Sequence, residues 1–171
     1  MNNNNIDING SCCFTGHRNI PQRKSKQIQE RLRNEIVAAI QNGYTFFYAG
    51  GAIGFDTMAA QAVLELKAQY PYIKLILALP CVNQTDGWEQ SDIDEYERIR
   101  VLADEIIYTS EENKKGCMHK RNRYLVDHSS LCICYMTRKS GGTAYTSHQY
   151  IEKGNIISRA ESDKTLYNVS R

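Results

Sequence analysis

The sequence predicts an α/β protein built on a doubly wound, mostly parallel sheet of about six strands, with helices on both faces. Three observations carry this. Apolar, strand-like runs alternate with stretches of helical spacing along the chain, five times over, and close on a last strand. The strand-like runs are apolar nearly throughout, as from Ile73 to Leu79 with only Lys74 polar, which fits strands covered on both faces. Two glycine-bearing turns, Gly50-Gly51 and Gly141-Gly142, each join such a run to a helix. Right-handed crossovers would then bring every strand carboxyl end to one rim, where folds of this kind bind ligands.

The elements follow in order. After a polar leader (residues 1–10), Ser11 to Phe14 reads as the first strand and runs into Thr15-Gly16-His17-Arg18. Ile20-Pro21 closes a turn. Ile28, Leu32, Ile36, Val37 and Ile40 recur at helical spacing, so an amphipathic helix runs from Lys24 to Gln41 and stops at Asn42-Gly43. Thr45 to Ala49 is the second strand, and the glycine turn leads into a helix from Gly54 to Ala68. Ile73 to Leu79 is the third strand, ended by Pro80, which has no N–H for a ladder. A polar loop from Cys81 to Gln90 holds the only tryptophan, Trp88. Ser91-Asp92 reads as the cap of a third helix, with Asp94 and Glu95 in its first turn. Asp104 to Tyr108 is strand four, Cys117 to His128 helix four, and Leu131 to Met136 strand five. A helix from Thr143 to Lys153 and a short strand, Ile156-Ile157, complete a single domain over 11–159, followed by a polar tail over 160–171.

The bulk numbers exclude several classes. A length of 171 residues suits one domain. With 21 basic and 19 acidic residues the net charge is +2, which gives no global drive toward nucleic acid or an anionic membrane, so any basic site is local. No apolar run approaches the ~20 residues of a membrane span. The polar start lacks the pattern of a signal peptide, and a cytoplasmic protein is expected. Six cysteines include no Cys-x-x-Cys pair. They read as buried free thiols, and no metal site or other cofactor is expected.

At the rim, Gly50, Gly51, Gly141, Gly142 and Thr143 offer backbone N–H groups and helix starts suited to phosphate, and Arg18 offers a bidentate phosphate contact. Each glycine turn alone reads equally well as a tight packing turn. Asp56, just after Gly54, fits three roles: favouring the helix dipole, holding a ribose hydroxyl, or fixing the glycine loop. His17 is a general base by type, or else a polar contact in the turn. Lys114, Lys115, Lys120, Arg121 and Arg123 form the one local basic cluster, read as a solvated helix face or an anion-facing one. Arg121, four positions before Leu125, lies near the inward stripe. Trp88 stacks on a base or covers its loop.

These motifs together resemble a family. Thr15-Gly16-His17-Arg18, then Gly50-Gly51-Ala52 with Gly54 and Asp56, then Leu79-Pro80, then Arg121-Asn122-Arg123-Tyr124, then Ser140-Gly141-Gly142-Thr143 are similar to the YpsA-like branch of the SLOG superfamily. That superfamily groups the DNA-processing protein Smf/DprA with the "lonely guy" phosphoribohydrolases. The resemblance covers roughly residues 11 to 157 and implies a Rossmann-like fold. The phosphoribohydrolases cut the N-glycosidic bond of nucleoside monophosphates with Met-x-x-Arg-Lys and Gly-Gly-x-Gly-Thr-x-x-Glu segments. Here Met118 and Arg121 fit the first, but Asn122 replaces its Lys, and Thr146 stands where the second has its Glu. A hydroxyl does not stabilise developing positive charge as a carboxylate does. The residues at the rim and the resemblance together lead to the expectation of a nucleotide or ADP-ribose-like ligand, bound for sensing or regulation, at Gly16, His17, Arg18, Gly50, Gly51, Gly54, Asp56, Trp88, Arg121, Asn122, Gly141, Gly142, Thr143 and Thr146. One alternative is a nucleotide N-glycosidase using Arg121. A second is a module for single-stranded nucleic acid, which the low net charge and single tryptophan do not favour. A homo-oligomer through helix or edge contacts remains open.

Overall fold

The computed structural model describes residues 7–137, 141–152 and 156–159. The leader up to residue 6, the polar tail from 160, and Ser140 of the second glycine turn lie outside the described residues. The strands are β1 (Ser11–Gly16), β2 (Phe46–Ala49), β3 (Lys74–Leu79), β4 (Glu105–Tyr108), β5 (Leu131–Tyr135) and β6 (Ile156–Arg159). The α-helices are α1 (Gln22–Gln41), α2 (Phe55–Leu66), α3 (Gln90–Leu102), α4 (Cys117–Asp127) and α5 (Gly142–Glu152). One sheet has the order β4-β3-β2-β1-β5-β6, and every pair in it is parallel. The Rossmann-like architecture read from the sequence is the one observed.

The strands are apolar on both sides because both sides are covered. Phe47, Leu75, Leu77 and Ile133 pack into one layer with Leu32, Val63 and Ile99 of α1, α2 and α3. Tyr48, Ile76, Ala78 and Cys132 face the other layer, against Leu125 and Val126 of α4. Each large side chain so buried contributes about 1.5–3 kcal/mol, which makes the sheet a rigid platform for its rim. All six cysteines are buried free thiols, as expected. No helix of the described residues is long and apolar enough to cross a membrane.

Several boundaries differ from the sequence reading. β1 runs on through Gly16 because Thr15 and Gly16 pair with Cys134 and Tyr135 of β5. The expected cap Ser91-Asp92 lies inside α3. Hydrogen bonding begins at Glu89, whose carbonyl accepts from the N–H groups of Asp92 and Ile93. Glu95 consequently sits beyond the first turn, where it accepts from Gln61 and Arg98. The Asn42-Gly43 stop is as read, with Gly43 at φ +91.

The strand order has one consequence for function. From β1 the chain builds outward through β2, β3 and β4, then returns to the far side of β1 with β5 and β6. At that reversal a crevice opens above the carboxyl ends of β1 and β5.

Candidate functional site

A cavity of about 240 Å³ occupies that crevice. Four pieces of chain wall it: the exit of β1 (Thr15, Gly16, His17, Arg18), the glycine turn and first turn of α2 (Ala52, Asp56), one face of α4 (Met118, Arg121, Asn122, Leu125), and the start of α5 (Gly142, Thr143).

Glycines let the first two pieces touch. Gly54 has φ +83, and a Cβ there would overlap the backbone carbonyl of Arg18. A Cβ on Gly16 would overlap the ring of Phe55. With both side chains absent, the Phe55 N–H donates to the His17 carbonyl at 3.1 Å and ties the start of α2 to the exit of β1. The His17 ring ties the other side: its Nε2 accepts from the Thr137 N–H at 2.9 Å, just beyond β5. Accepting there requires a neutral ring with its proton on Nδ1. The nitrogen that a general base would use is thus already occupied, and the contacts favour the turn-holding role.

Arg121 and Asp56 hold the glycine turn from within. Both are buried, at 7% and 6% exposure. The Arg121 guanidinium donates to the Gly50 carbonyl and lies 3.7 Å from Asp56 Oδ2. A Cβ on Gly50 would overlap that guanidinium. The Arg121 Nε–H donates to Asn122 Oδ1 at 2.8 Å. Asp56 accepts from the Ala52 N–H at 3.4 Å, and Gln84, from the loop after β3, donates to the same Gly50 carbonyl at 3.4 Å. Of the roles open to Asp56, fixing the glycine loop is the one its contacts show. Burial pushes the Asp56 carboxyl up, against the pull of Arg121 and the turn's N–H groups, and pushes the Arg121 guanidinium down. For both partners desolvation outweighs mutual attraction, as buried ion pairs commonly show.

The remaining cavity groups are less committed. Arg18 is exposed at the mouth and, among the described residues, makes no ion pair. Gly142 and Thr143 open α5, whose first N–H groups carry the helix's partial positive charge. Gly141, at φ +95, turns the chain into that helix.

Other expected residues lie elsewhere. The Thr146 hydroxyl donates to the Gly142 carbonyl of its own helix at 3.0 Å. Gly51, at φ +70, packs on Leu79 and is not among the cavity's lining residues. Trp88 packs edge-on against Tyr96, ring centroids 5.7 Å apart, away from the cavity. Of the basic cluster only Arg121 turns inward. Lys114, Lys115 and Lys120 line a separate cavity of about 700 Å³ beside the start of α4.

The sequence carried Met118 and Ala52 only as parts of the motifs behind the resemblance, and it did not mark Gln84. Met118, Arg121, Asn122 and Leu125 recur at intervals of three, one and three, which is one helix face. That signal marks Met118. Gln84 has none, because its role depends on the path of a loop.

Comparison with known proteins adds the following. The family described as the YspA SLOG family matches residues 12–162. A UPF0398 protein of Brevibacillus brevis is 25% identical over 146 residues, covering 84% of this chain and 75% of the relative. A UPF0398 protein of Bacillus thuringiensis is 28% identical over 136 residues, covering 75% and 72%. Among solved structures, the chain is similar in fold to DNA processing protein A from Helicobacter pylori, whose structure was described for its single-stranded DNA binding mode. The TM-score is 0.64 at 17% identity, over 92% of this chain and 68% of that one. The Streptococcus pneumoniae protein of that name gives 0.61 at 16% identity, over 87% of this chain but only 49% of its own, so the chain spans about half of it.

Proposed function

The chain belongs to the YspA SLOG family, and on that premise we propose that it binds a nucleotide or an ADP-ribose-like derivative in the switch-point cavity and serves as a ligand sensor. The observation that carries this is the division of labour between two arginines. Arg121 is spent on the Gly50 carbonyl and Asp56, while Arg18 stands exposed at the mouth, facing the same cavity as the N-terminus of α5. A cation and a helix start on one small cavity suit a phosphate. Binding without cleavage fits the same geometry. Thr146, where the phosphoribohydrolases have an acid, is bonded to its own helix, and His17 accepts from Thr137. Incubation with nucleoside monophosphates is therefore expected to release no free base, read by chromatography with protein in excess. Base release that Arg18→Ala abolishes would establish the N-glycosidase reading instead.

A second reading rests on Lys115 and Lys120, which line a cavity beside the same rim together with Glu111, Glu112 and Lys114, the last paired with Glu112 at 3.0 Å. Single-stranded DNA could follow that path, as the likeness to DNA processing protein A allows. Retention of an oligonucleotide that weakens linearly with the logarithm of salt concentration would support it. No retention at low salt rejects it.

A further inference from the structure

The switch-point cavity has a buried side as well as a mouth, and two side chains on that side have polar groups to spare. Thr15 lies two residues after Cys13 in β1, so both face the layer of α4. It is only 8% exposed and lines the cavity, and its hydroxyl has no hydrogen-bond partner among the described residues. Asn122 is fixed from one side. Its Oδ1 accepts from the Arg121 Nε–H at 2.8 Å. A guanidinium only donates, so the amide oxygen must be the end that faces it, and the amide nitrogen turns the other way. That nitrogen lies 3.6 Å from where a Cβ on Gly142 would stand, at the start of α5, and has no acceptor among the described residues. Asp56, the only carboxylate among the described lining residues, is turned to Arg121 and the Ala52 N–H. The buried side thus offers donors and no unused carboxylate. At about 240 Å³ the cavity is also smaller than the roughly 300–1,000 Å³ of sites that enclose a whole small-molecule ligand, so it encloses one end of a nucleotide.

We propose that Thr15 and Asn122 read the oxygens of a phosphate group that enters the cavity first, and that Arg121 is the positioning residue that holds the Asn122 amide for that task. This rests on the nucleotide reading above and adds the ligand's orientation: phosphate inward, sugar and base toward the mouth. A phosphate oxygen that has lost its proton only accepts, so a wall of donors matches it. A sugar hydroxyl or a base edge also brings donors, which call for an acceptor such as the Asp56 carboxylate, already engaged. The Thr15 hydroxyl rotates freely to donate. The Asn122 amide cannot turn over without setting its NH2 against the Arg121 Nε–H, which would leave both donors unpaired. The same guanidinium donates to the Gly50 carbonyl, so one side chain sets both the glycine turn and the amide that faces the ligand.

The test is calorimetric titration of the full chain with AMP, ADP-ribose and adenosine, and with inorganic phosphate as competitor. The wild type is expected to bind AMP or ADP-ribose, to lose it to inorganic phosphate, and to bind adenosine at least about tenfold more weakly. Thr15→Val keeps the shape without the hydroxyl, and Asn122→Asp keeps an oxygen for the Arg121 Nε–H without the NH2. Each should weaken the phosphorylated compound about tenfold or more, so that its preference over adenosine falls. Arg121→Lys keeps a cation beside Asp56 but has no Nε–H. It should cut that preference as Asn122→Ala does, and the two together should lose little more than either alone. Urea midpoints report folding, and Thr15→Val decides the matter if an Arg121 variant fails to fold. Thr15 and Asn122 variants that bind the phosphorylated compound as tightly as wild type overturn the two donors and leave the nucleotide reading standing. Adenosine bound as well as the phosphorylated compound overturns the inward phosphate. Fully additive losses in the double variant overturn the positioning role of Arg121. A wild type that binds neither phosphorylated compound overturns the nucleotide reading and this inference together.

Discussion

At the scale of single residues, two arginines at one cavity have opposite jobs. Arg121 is a buried structural cation, and Arg18 is a solvent-facing one. Arg121→Ala leaves Asp56 buried beside an emptied partner site and frees the Gly50 carbonyl. It is expected to lower unfolding free energy by about 3–5 kcal/mol, read as a shift in the urea midpoint at constant slope. Arg18→Ala should change stability by less than about 0.5 kcal/mol, which makes it the clean probe of ligand binding. Asp56 adds a pH signature. Its carboxyl is held above the ordinary value of 3.8, so the folded chain keeps a proton that the unfolded chain has already released. The stability owed to this group is present below pH 3.8 and declines as pH rises through the folded value. Asp56→Asn removes that decline. The stability gap between wild type and variant should therefore narrow as pH rises across this window, then level off. A gap that widened with pH would mean that attraction to Arg121 outweighs burial.

At the scale of elements, the site is two turns pressed together, and glycine makes the contact. Gly54→Ala would place a methyl on the Arg18 carbonyl in a backbone conformation that disfavours side chains. About 3 kcal/mol or more should be lost. Gly16→Ala, against the Phe55 ring, should cost about 1–3 kcal/mol. Gly43→Ala is the contrast: its φ is +91 but nothing lies within 4 Å, so strain alone, about 1 kcal/mol, is expected. Chemical denaturation of the three variants checks the ranking, and an equal loss at Gly43 would refute close packing as the cause. The sequence made these turns visible, since Gly50-Gly51 and Gly141-Gly142 each follow an apolar run and precede helical spacing. It did not show why the glycines are needed, because the partners of Gly16 and Gly54 lie in distant segments. Ser91 misled for a local reason: a good capping residue also tolerates the first turn, and only backbone bonding at Glu89 locates the start of α3.

At the scale of the whole molecule, the class of fold was legible and the placement of the site was not fully so. Apolar strands alternating with helices are enough to call for a parallel sheet covered on both faces. The order β4-β3-β2-β1-β5-β6 is not written in any one segment, because it depends on which face each crossover helix covers. That order brings Thr15–Arg18, Ala52, α4 and the start of α5 to one crevice and leaves Trp88 outside it. The measurement that tests the account most directly is a thermal-shift panel of nucleotides and ADP-ribose-like compounds on wild type and Arg18→Ala. At a hundred times its dissociation constant, the matching compound should stabilise the wild-type chain by about 2.7 kcal/mol. Arg18→Ala, equally stable alone, should gain far less at the same concentration. A panel in which no compound shifts the wild type, or one in which Arg18→Ala responds as fully as wild type, would contradict it.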